Sequence, residues 1–494
     1  MQRLSTEMNE NGKTGITRKI VVSNLLWRFM ERTGAQGVSF IVSIVLARLL
    51  DPSVYGTIAL ITVFTSILQV FIDSGFGNAL IQKKNADDLD FSTVFYFNIL
   101  VCGVLYIVMY FASPYIAEFY HIPELTPVIR VLSLTLIISG IKNIQQAYVS
   151  RNLLFKKFFY ATLGGTIGAA LIGIWMAYRG YGVWALVMQN LLNATVDTLI
   201  LWITVKWRPK RAFSFERLRG LYGYGWKLLV SSLLDVIYKD LRSLIIGKLY
   251  TSSDLAYYNR GQQFPNLIVT NINASINSVL LPTMAAEQDN RSRVRDLTRR
   301  AIKTSTYIMM PLMMGLAVCA EPLVRIILTV KWLPCVFFMR IYCFSFAFYP
   351  IHTANLNAIK AMGRSDLFLK LEIIKKIVGL MALALTMFIS VEAMALSMLF
   401  TSVLSQIINS WPNRKLLNYR YVDQVMDMLP QIVLSCLMGG IVYSMTYLKL
   451  NDIITLFLQV SIGAVVYILG SKIFKIDSYA YLIGTLKSYP KKDN

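Results

Sequence analysis

Arg28, Glu31 and Arg32 fall inside an apolar run that begins near Ile20 and continues to Leu50. Their three- and four-residue spacings put all three on one helical face. A later run repeats the arrangement with Asp235, Lys239 and Arg242, and adds Lys227 and Asp240. Arg260 lies in the run after that, and Asp73 toward the end of the run that follows the first. A charge at the bilayer centre costs roughly 2.5–3.5 kcal/mol on insertion scales, so each such residue needs a partner or a wet cavity. Arginine grips phosphate through two parallel N–H···O bonds, and lysine binds it as a point charge. At the helical rise, Arg32 and Lys239 sit near mid-run, Arg28 a turn nearer the inner end, and Arg242 and Arg260 in the outer halves. The result is a ladder of positive charge suited to a solute that carries anionic phosphate. The competing account is internal pairing, Arg28 with Glu31 and Asp235 with Lys239, as locks between or along helices. Asp73 likewise has two roles open to it: carrier of a coupling proton or ion, or a cap at the inner end of its helix.

Other chemistries find no support. No Gly-x-x-x-x-Gly-Lys-Ser/Thr loop is present, which excludes an ATPase of that class. The chain has two histidines and five cysteines, all five cysteines in or beside apolar runs and without metal-ligand spacing. The acidic run Asp87-Asp88-Leu89-Asp90 precedes an apolar stretch, where acids suit a helix N-terminus and need no catalytic role. Tyr257 and Tyr258 are possible stacking platforms for sugar rings, though aromatic residues in such a chain more often pack or meet the interface. The expectation is a protein that is not an enzyme and that uses no cofactor and no metal.

The elements that must position these charges follow from composition. Of 494 residues, 55% are apolar and 15% charged, against about a quarter charged in soluble proteins. The mean hydropathy is +0.53. Apolar runs of about 20 residues, the length that crosses roughly 30 Å of hydrocarbon, recur throughout. The expected fold is an all-α polytopic membrane protein of about fourteen transmembrane helices. They lie at 20–49, 53–82, 90–113, 124–152, 156–178, 180–206, 217–248, 253–284, 294–319, 335–361, 366–390, 392–416, 427–448 and 452–474. The connection from Glu321 to Pro334 is partly apolar and is expected on the membrane surface or re-entering it.

A net charge of +22 raises the question of nucleic acid. The distribution answers it: with the N-terminus inside, 31 Lys and Arg fall in the cytoplasmic tails and loops and 6 on the outer side. That asymmetry is the positive-inside pattern, and it places both termini in the cytoplasm of a bacterial inner membrane, with the basic loops against anionic lipid. No nucleic-acid partner is expected.

A weak internal repeat organises the helices. Trp27-Arg28 in the first run is matched by Trp226-Lys227 in the seventh, and Leu49-Leu50-Asp51-Pro52-Ser53 by Leu249-Tyr250-Thr251-Ser252-Ser253. Six spans separate the copies, an even number, so both have the same orientation and are related about the membrane normal. This gives a cytoplasmic tail at 1–19, an N-terminal lobe at 20–206, a linker at 207–216, a C-terminal lobe at 217–416, two appended spans within 427–474 and a tail at 475–494. The two six-helix lobes are expected to face one another across a cleft.

Several stretches carry a family resemblance. Leu46-Ala47-Arg48-Leu49-Leu50-Asp51-Pro52-Ser53-Val54-Tyr55-Gly56, continuing to Asp73-Ser74-Gly75-Phe76-Gly77-Asn78-Ala79-Leu80-Ile81-Gln82, resembles the Wzx-type polysaccharide-transport flippases. These belong to the multidrug/oligosaccharidyl-lipid/polysaccharide (MOP) superfamily. Arg151-Asn152-Leu153-Leu154-Phe155-Lys156, Gly180-Tyr181-Gly182-Val183-Trp184-Ala185-Leu186 and Trp207-Arg208-Pro209 add weaker matches. The resemblance covers roughly residues 20 to 475. It implies a MATE-like fold and export of a polyprenyl-diphosphate-linked oligosaccharide, with the membrane lipids, a polysaccharide polymerase and glycosyltransferases as partners. The related lipid II flippases use arginines in spans 1, 2 and 8. Arg28, Arg32 and Arg260 match by span position, but no arginine lies between Ser53 and Gln82. The alternative on the same fold is a cation-coupled drug antiporter, whose span-1 acid would be Glu31. Its two flanking arginines argue against a cation-extruding cavity. A membrane glycosyltransferase or polymerase is a third class, for which the sequence offers no site.

Overall fold

The computed structural model describes residues 18–73, 80, 86–152 and 154–488. Every regular element among them is helical. Eleven helical stretches are long and apolar enough to cross a membrane. Only helices or closed barrels satisfy their backbone groups internally in hydrocarbon.

The first compact unit runs to Leu244. It contains α1 (Arg18–Leu49), α2 (Pro52–Asp73), α3 (Asp88–Tyr120), α4 (Leu125–Leu132), α5 (Leu134–Arg151), α6 (Phe155–Tyr178) and α7 (Val183–Thr204). It also holds most of α8 (Phe215–Leu249). The second unit begins at Ile245. It contains α9 (Ser252–Ala286), α10 (Arg291–Val318), α11 (Ala320–Ile327), α12 (Cys335–Ala347), α13 (Tyr349–Ala361), α14 (Ser365–Thr386) and α15 (Val391–Ser410). The short α16 (Asn413–Leu416) then leads to α17 (Tyr421–Ser444), α18 (Asp452–Ile473) and α19 (Asp477–Ser488).

Three expected spans fall on helices outside the eleven: α1, α8 and α14, of 32, 35 and 22 residues. At the helical rise even the shortest spans about 33 Å. What sets them apart is charge. They carry the Arg28 and Asp235 groups and, on α14, Lys370, Glu372, Lys375 and Lys376.

Small residues let the helices approach, as they do where lipid removes the hydrophobic drive to associate. In the first unit, a Cβ on Gly173 of α6 would lie 3.0 Å from the Gln189 Cβ of α7. A buried apolar cluster around Phe91, Phe95, Ile144, Phe158, Leu201 and Trp207 ties the starts of α3 and α6 to the later turns of α5 and α7. In the second unit, α9 meets α12 at Gly261, where an added Cβ would lie 2.6 Å from the Phe338 Cβ and 2.8 Å from the Met339 amide nitrogen. The span at 335–361 breaks at Phe348, between α12 and α13. Pro350, which lacks an amide proton and clashes with the preceding turn, accounts for the break. The connection at Glu321–Pro334 forms α11 and a 3-10 turn that buries Trp332 completely. Within this unit α18 attaches to α10: the Tyr467 hydroxyl donates to the Tyr307 carbonyl at 2.8 Å, and the Tyr307 hydroxyl to Ser471 at 2.9 Å.

Gly261→Ala is expected to destabilise the purified protein by about 1–3 kcal/mol, the usual cost of overpacking. Gly168→Ala, where an added Cβ meets nothing within 4 Å, leaves it unchanged. Thermal unfolding in detergent compares the two.

Candidate functional site

In the first unit, Arg28 donates to Glu31 at 2.7 Å along α1. The second Glu31 oxygen accepts from Thr162 of α6 at 3.4 Å. The Arg28 guanidinium lies over the Phe158 and Phe155 rings at 5.2 and 5.8 Å. Beside it, the Lys156 ammonium lies 5.3 Å from the Trp27 ring. Pairing and aromatic faces together offset the cost of these charges at the α1–α6 contact. The internal-pairing alternative for Arg28 and Glu31 is therefore the arrangement found.

The α8 charges differ. Asp235 and Lys239 are exposed, Asp240 and Arg242 half-buried. The Arg242 Nε is buried and has no hydrogen-bond partner among the described residues. A buried guanidinium N–H without an acceptor bears its full desolvation cost. Lys239, three residues before Arg242, presents its ammonium on the same helical face. The side chains of Arg32 and Asp73 lie outside the described residues.

In the second unit, Arg260 is buried. It donates to Gln263 one turn on, and its guanidinium lies 5.0 Å from the centre of the Trp332 ring. Trp332 in turn meets the Tyr257 ring edge-on at 6.1 Å. The turn at 330–332 thus supplies an aromatic wall to the Arg260 site. Tyr258 is 4% exposed and packs against Phe338 and Tyr342. That burial removes it as a platform for sugar rings, because no ring face is accessible.

The acidic run at Asp87–Asp90 has a structural role. Asp87 and Asp90 form a reciprocal capping box at the start of α3. The same acids hold the basic segment that follows α7. Lys210 pairs with Asp88 at 2.7 Å, and Arg217 with Asp90 at 3.4 Å and Asp87 at 3.6 Å. The hydrogen bond to Asp88 raises the Lys210 ammonium above its ordinary pKa. Trp207, whose indole donates to Asp88 at 3.3 Å, plugs the segment into the apolar cluster below.

Sequence reasoning missed two partners. Asp197 of α7 holds Lys142 of α5 at 3.1 Å, and Trp332 covers Arg260. A carboxylate alone in the apolar stretch Leu191–Thr204 was the available signal for the first. The second depends on a turn folding back on α9, which nothing local encodes.

Residues 45–337 match the polysaccharide biosynthesis protein family, more than half of the chain. The chain belongs to the polysaccharide biosynthesis protein family. Relatives include the succinoglycan biosynthesis transport protein ExoT of Rhizobium meliloti (strain 1021), 23% identical over 64% of this chain and 64% of that protein. The teichuronic acid biosynthesis protein TuaB of Bacillus subtilis (strain 168) is 25% identical over 61% of this chain and 63% of that protein. The chain therefore spans just under two thirds of the length of these two relatives. The lipopolysaccharide biosynthesis protein WzxC of Escherichia coli (strain K12) is 22% identical over 72% of this chain and 73% of that protein. Among solved structures, the inward closed conformation of the lipid II flippase MurJ superposes with a TM-score of 0.73 at 16% identity, covering 94% of this chain and 100% of that one. An inward-facing multidrug resistance MATE family transporter of the MOP superfamily gives 0.62 at 16% identity, over 78% of this chain and 94% of that one. At such identities the likeness establishes the fold. The resemblance read from the sequence is borne out.

Asp90→Ala removes the reciprocal cap and one carboxylate of the clamp on the basic segment. A lost cap costs about 0.5–2 kcal/mol. Trypsin cleavage after Lys210 and Arg211 is expected to become a few-fold to about tenfold faster, read by limited proteolysis of the detergent-solubilised protein.

Proposed function

We propose that the protein moves a polyprenyl-diphosphate-linked oligosaccharide from the inner to the outer leaflet of the bacterial cytoplasmic membrane, by alternating access. Its product would feed assembly of a surface polysaccharide: O-antigen, capsule or exopolysaccharide. Family membership is the observation that carries this reading, and the relatives' names, which tie them to succinoglycan, teichuronic acid and lipopolysaccharide biosynthesis, support it. In this reading the chain acts as a transporter and not as an enzyme. A polymerase and glycosyltransferases are its partners in the pathway.

The finer topology belongs to the same proposal. Helices α1, α8 and α14 cross the membrane with the other eleven stretches, giving fourteen crossings and both termini inside. The lobes are residues 20–206 and 217–416, joined by the linker 207–216 and followed by two spans within 427–474. The 31-to-6 partition of basic residues supports this orientation.

Arg28, Arg32, Lys239, Arg242 and Arg260 are the cations proposed to neutralise the diphosphate while the polyprenyl tail stays in lipid. Arg242, with its orphaned Nε, and Lys239 have donors to give at once. Arg28 would exchange Glu31 for phosphate, and Arg260 would exchange Gln263. Asp235 and Glu31 then balance the cationic groups when cargo is absent, and Asp73 caps α2 or serves coupling. A drug antiporter on the same fold is the second reading, favoured by the likeness to MATE transporters. It is separated by phenotype: deletion abolishes surface polysaccharide and leaves drug susceptibility unchanged if the flippase reading holds.

In vesicles carrying a labelled lipid-linked oligosaccharide, Arg242→Ala is expected to slow transfer about 10- to 100-fold, the equivalent of one lost charge-assisted contact of roughly 1.5–3 kcal/mol. Arg242→Lys should recover part of the rate. Transfer at the wild-type rate by Arg242→Ala, with normal insertion, would show that this guanidinium does not hold phosphate.

A further inference from the structure

Two adjoining cavities in the second unit have walls that contain none of the proposed cargo cations. One, of about 520 Å³, is charged and lies between the first turns of α10 and the helix α19. The other, of about 540 Å³, is a largely apolar groove between α9 and α10. Arg300, Thr304 and Tyr481 belong to both walls, so the charged mouth is continuous with the groove.

The charges of the mouth mostly cancel. Arg299 donates to both Asp427 oxygens at 2.6 and 2.7 Å. Lys303 pairs with Asp477 of α19 at 3.0 Å and lies 3.6 Å from Asp427. Asp296 pairs with Arg295 at 3.5 Å. Arg300 is exposed and makes no ion pair among the described residues; its guanidinium lies 5.1 Å from the centre of the Tyr481 ring. A ring face attracts a guanidinium without neutralising it. One positive charge therefore remains where mouth and groove meet, on a side chain whose donors match a phosphate.

The groove has the dimensions of a lipid chain. It follows α9 from Asn271 to Thr283, about 18 Å at the helical rise. Half of a hydrocarbon core of roughly 30 Å is about 15 Å, so the groove spans one leaflet. Val279 of α9 and Ile308 of α10, 65% and 38% exposed, present apolar surface along it. Arg300 stands at the end where α9 finishes and α10 starts. Charge at one end and a leaflet-deep apolar channel behind it are the two parts of a phospholipid site.

We infer that the two cavities bind one monoanionic phospholipid of the phosphatidylglycerol class. Its phosphodiester sits on Arg300 beside the Thr304 hydroxyl, and one acyl chain fills the groove between α9 and α10. Other occupants fit less of the site. Inorganic phosphate would use the mouth and leave the apolar groove in contact with water. A zwitterionic lipid brings its own cation to a mouth that already has one positive charge unbalanced. A diphosphate carries more negative charge than one arginine offsets, with Asp296 and Asp477 in the same wall. A phosphodiester carries a single charge. Basic pockets between membrane helices take anionic headgroups on these terms.

The experiment uses the full chain, delipidated in a neutral detergent, and measures equilibrium binding of labelled phosphatidylglycerol. Phosphatidylcholine, inorganic phosphate and polyprenyl diphosphate serve as unlabelled competitors. Transport is not measured, so the outcome does not depend on the cargo. Wild type should bind phosphatidylglycerol saturably, with phosphatidylcholine and inorganic phosphate competing at least about tenfold more weakly. Arg300→Ala should weaken binding about tenfold, the loss of one charge-assisted contact. Val279→Trp puts a ring into the groove from an exposed position, keeps every charge of the mouth, and should weaken binding to a similar degree. Arg293→Ala removes an exposed cation of α10 that lies in neither wall, and should bind as wild type does. Thermal unfolding without lipid verifies that each variant is folded. Equal losses in Arg293→Ala and Arg300→Ala would mean diffuse attraction to a basic surface and overturn the site. Unchanged binding in Arg300→Ala or in Val279→Trp also overturns it. Inorganic phosphate competing as well as phosphatidylglycerol would overturn the lipid assignment, and so would polyprenyl diphosphate displacing it with more than about tenfold higher affinity.

Discussion

Charge is expensive in hydrocarbon, and that expense organises this protein. Eleven helical stretches among the described residues pass as ordinary apolar spans. The remaining three helices of membrane length are those that carry clustered charge. These clusters, and Arg260 on one of the eleven stretches, meet their cost differently. Arg28 leans on Glu31 and two phenylalanine faces. On α14, Lys375 holds Glu372 at 2.6 Å. Arg260 is sheathed by Trp332. Arg242 leaves one buried N–H with no acceptor among the described residues.

The same cost shapes the inner surface. Acids at helix starts hold basic residues in order. Asp427 of α17 accepts from Arg299 of α10 at 2.6 and 2.7 Å and from the Tyr419 hydroxyl at 2.8 Å. Burial, then the bond to that carboxylate, pushes the Tyr419 hydroxyl well above its usual pKa. In the first unit, Asp87, Asp88 and Asp90 do the corresponding work for Lys210 and Arg217. In both units carboxylates near the start of one helix order basic residues from elsewhere in the chain.

Close packing decides which polar groups can be satisfied. Gly165 brings α6 against α7 and leaves Asp197 short of a donor. Gly261 brings α9 against α12, near Arg260 and the turn that covers it. In the second unit Asn355, Ser410, Asn413 and Gln424 bond to one another with distances of 2.6–3.3 Å.

Hydropathy, the partition of Lys and Arg, and the charges inside apolar runs are local or additive properties, so the sequence by itself determined an α-helical membrane protein, its expected orientation and the roster of intramembrane charges. The stretch from Leu46 to Gly56 was enough to indicate the family. Partnership is a different kind of quantity. Arg28 and Glu31 are three residues apart and their pairing was legible from helical spacing. Lys142 and Asp197 are 55 residues apart, and Arg260 and Trp332 lie on different elements. These contacts exist only once α5 packs on α7 and the 330–332 turn folds against α9. Burial of Tyr258 and exposure of Lys239 were decided in the same way, because which face of a helix meets another helix is set by close approach at small residues. The sequence named the expensive charges; the tertiary structure decided which of them are already satisfied.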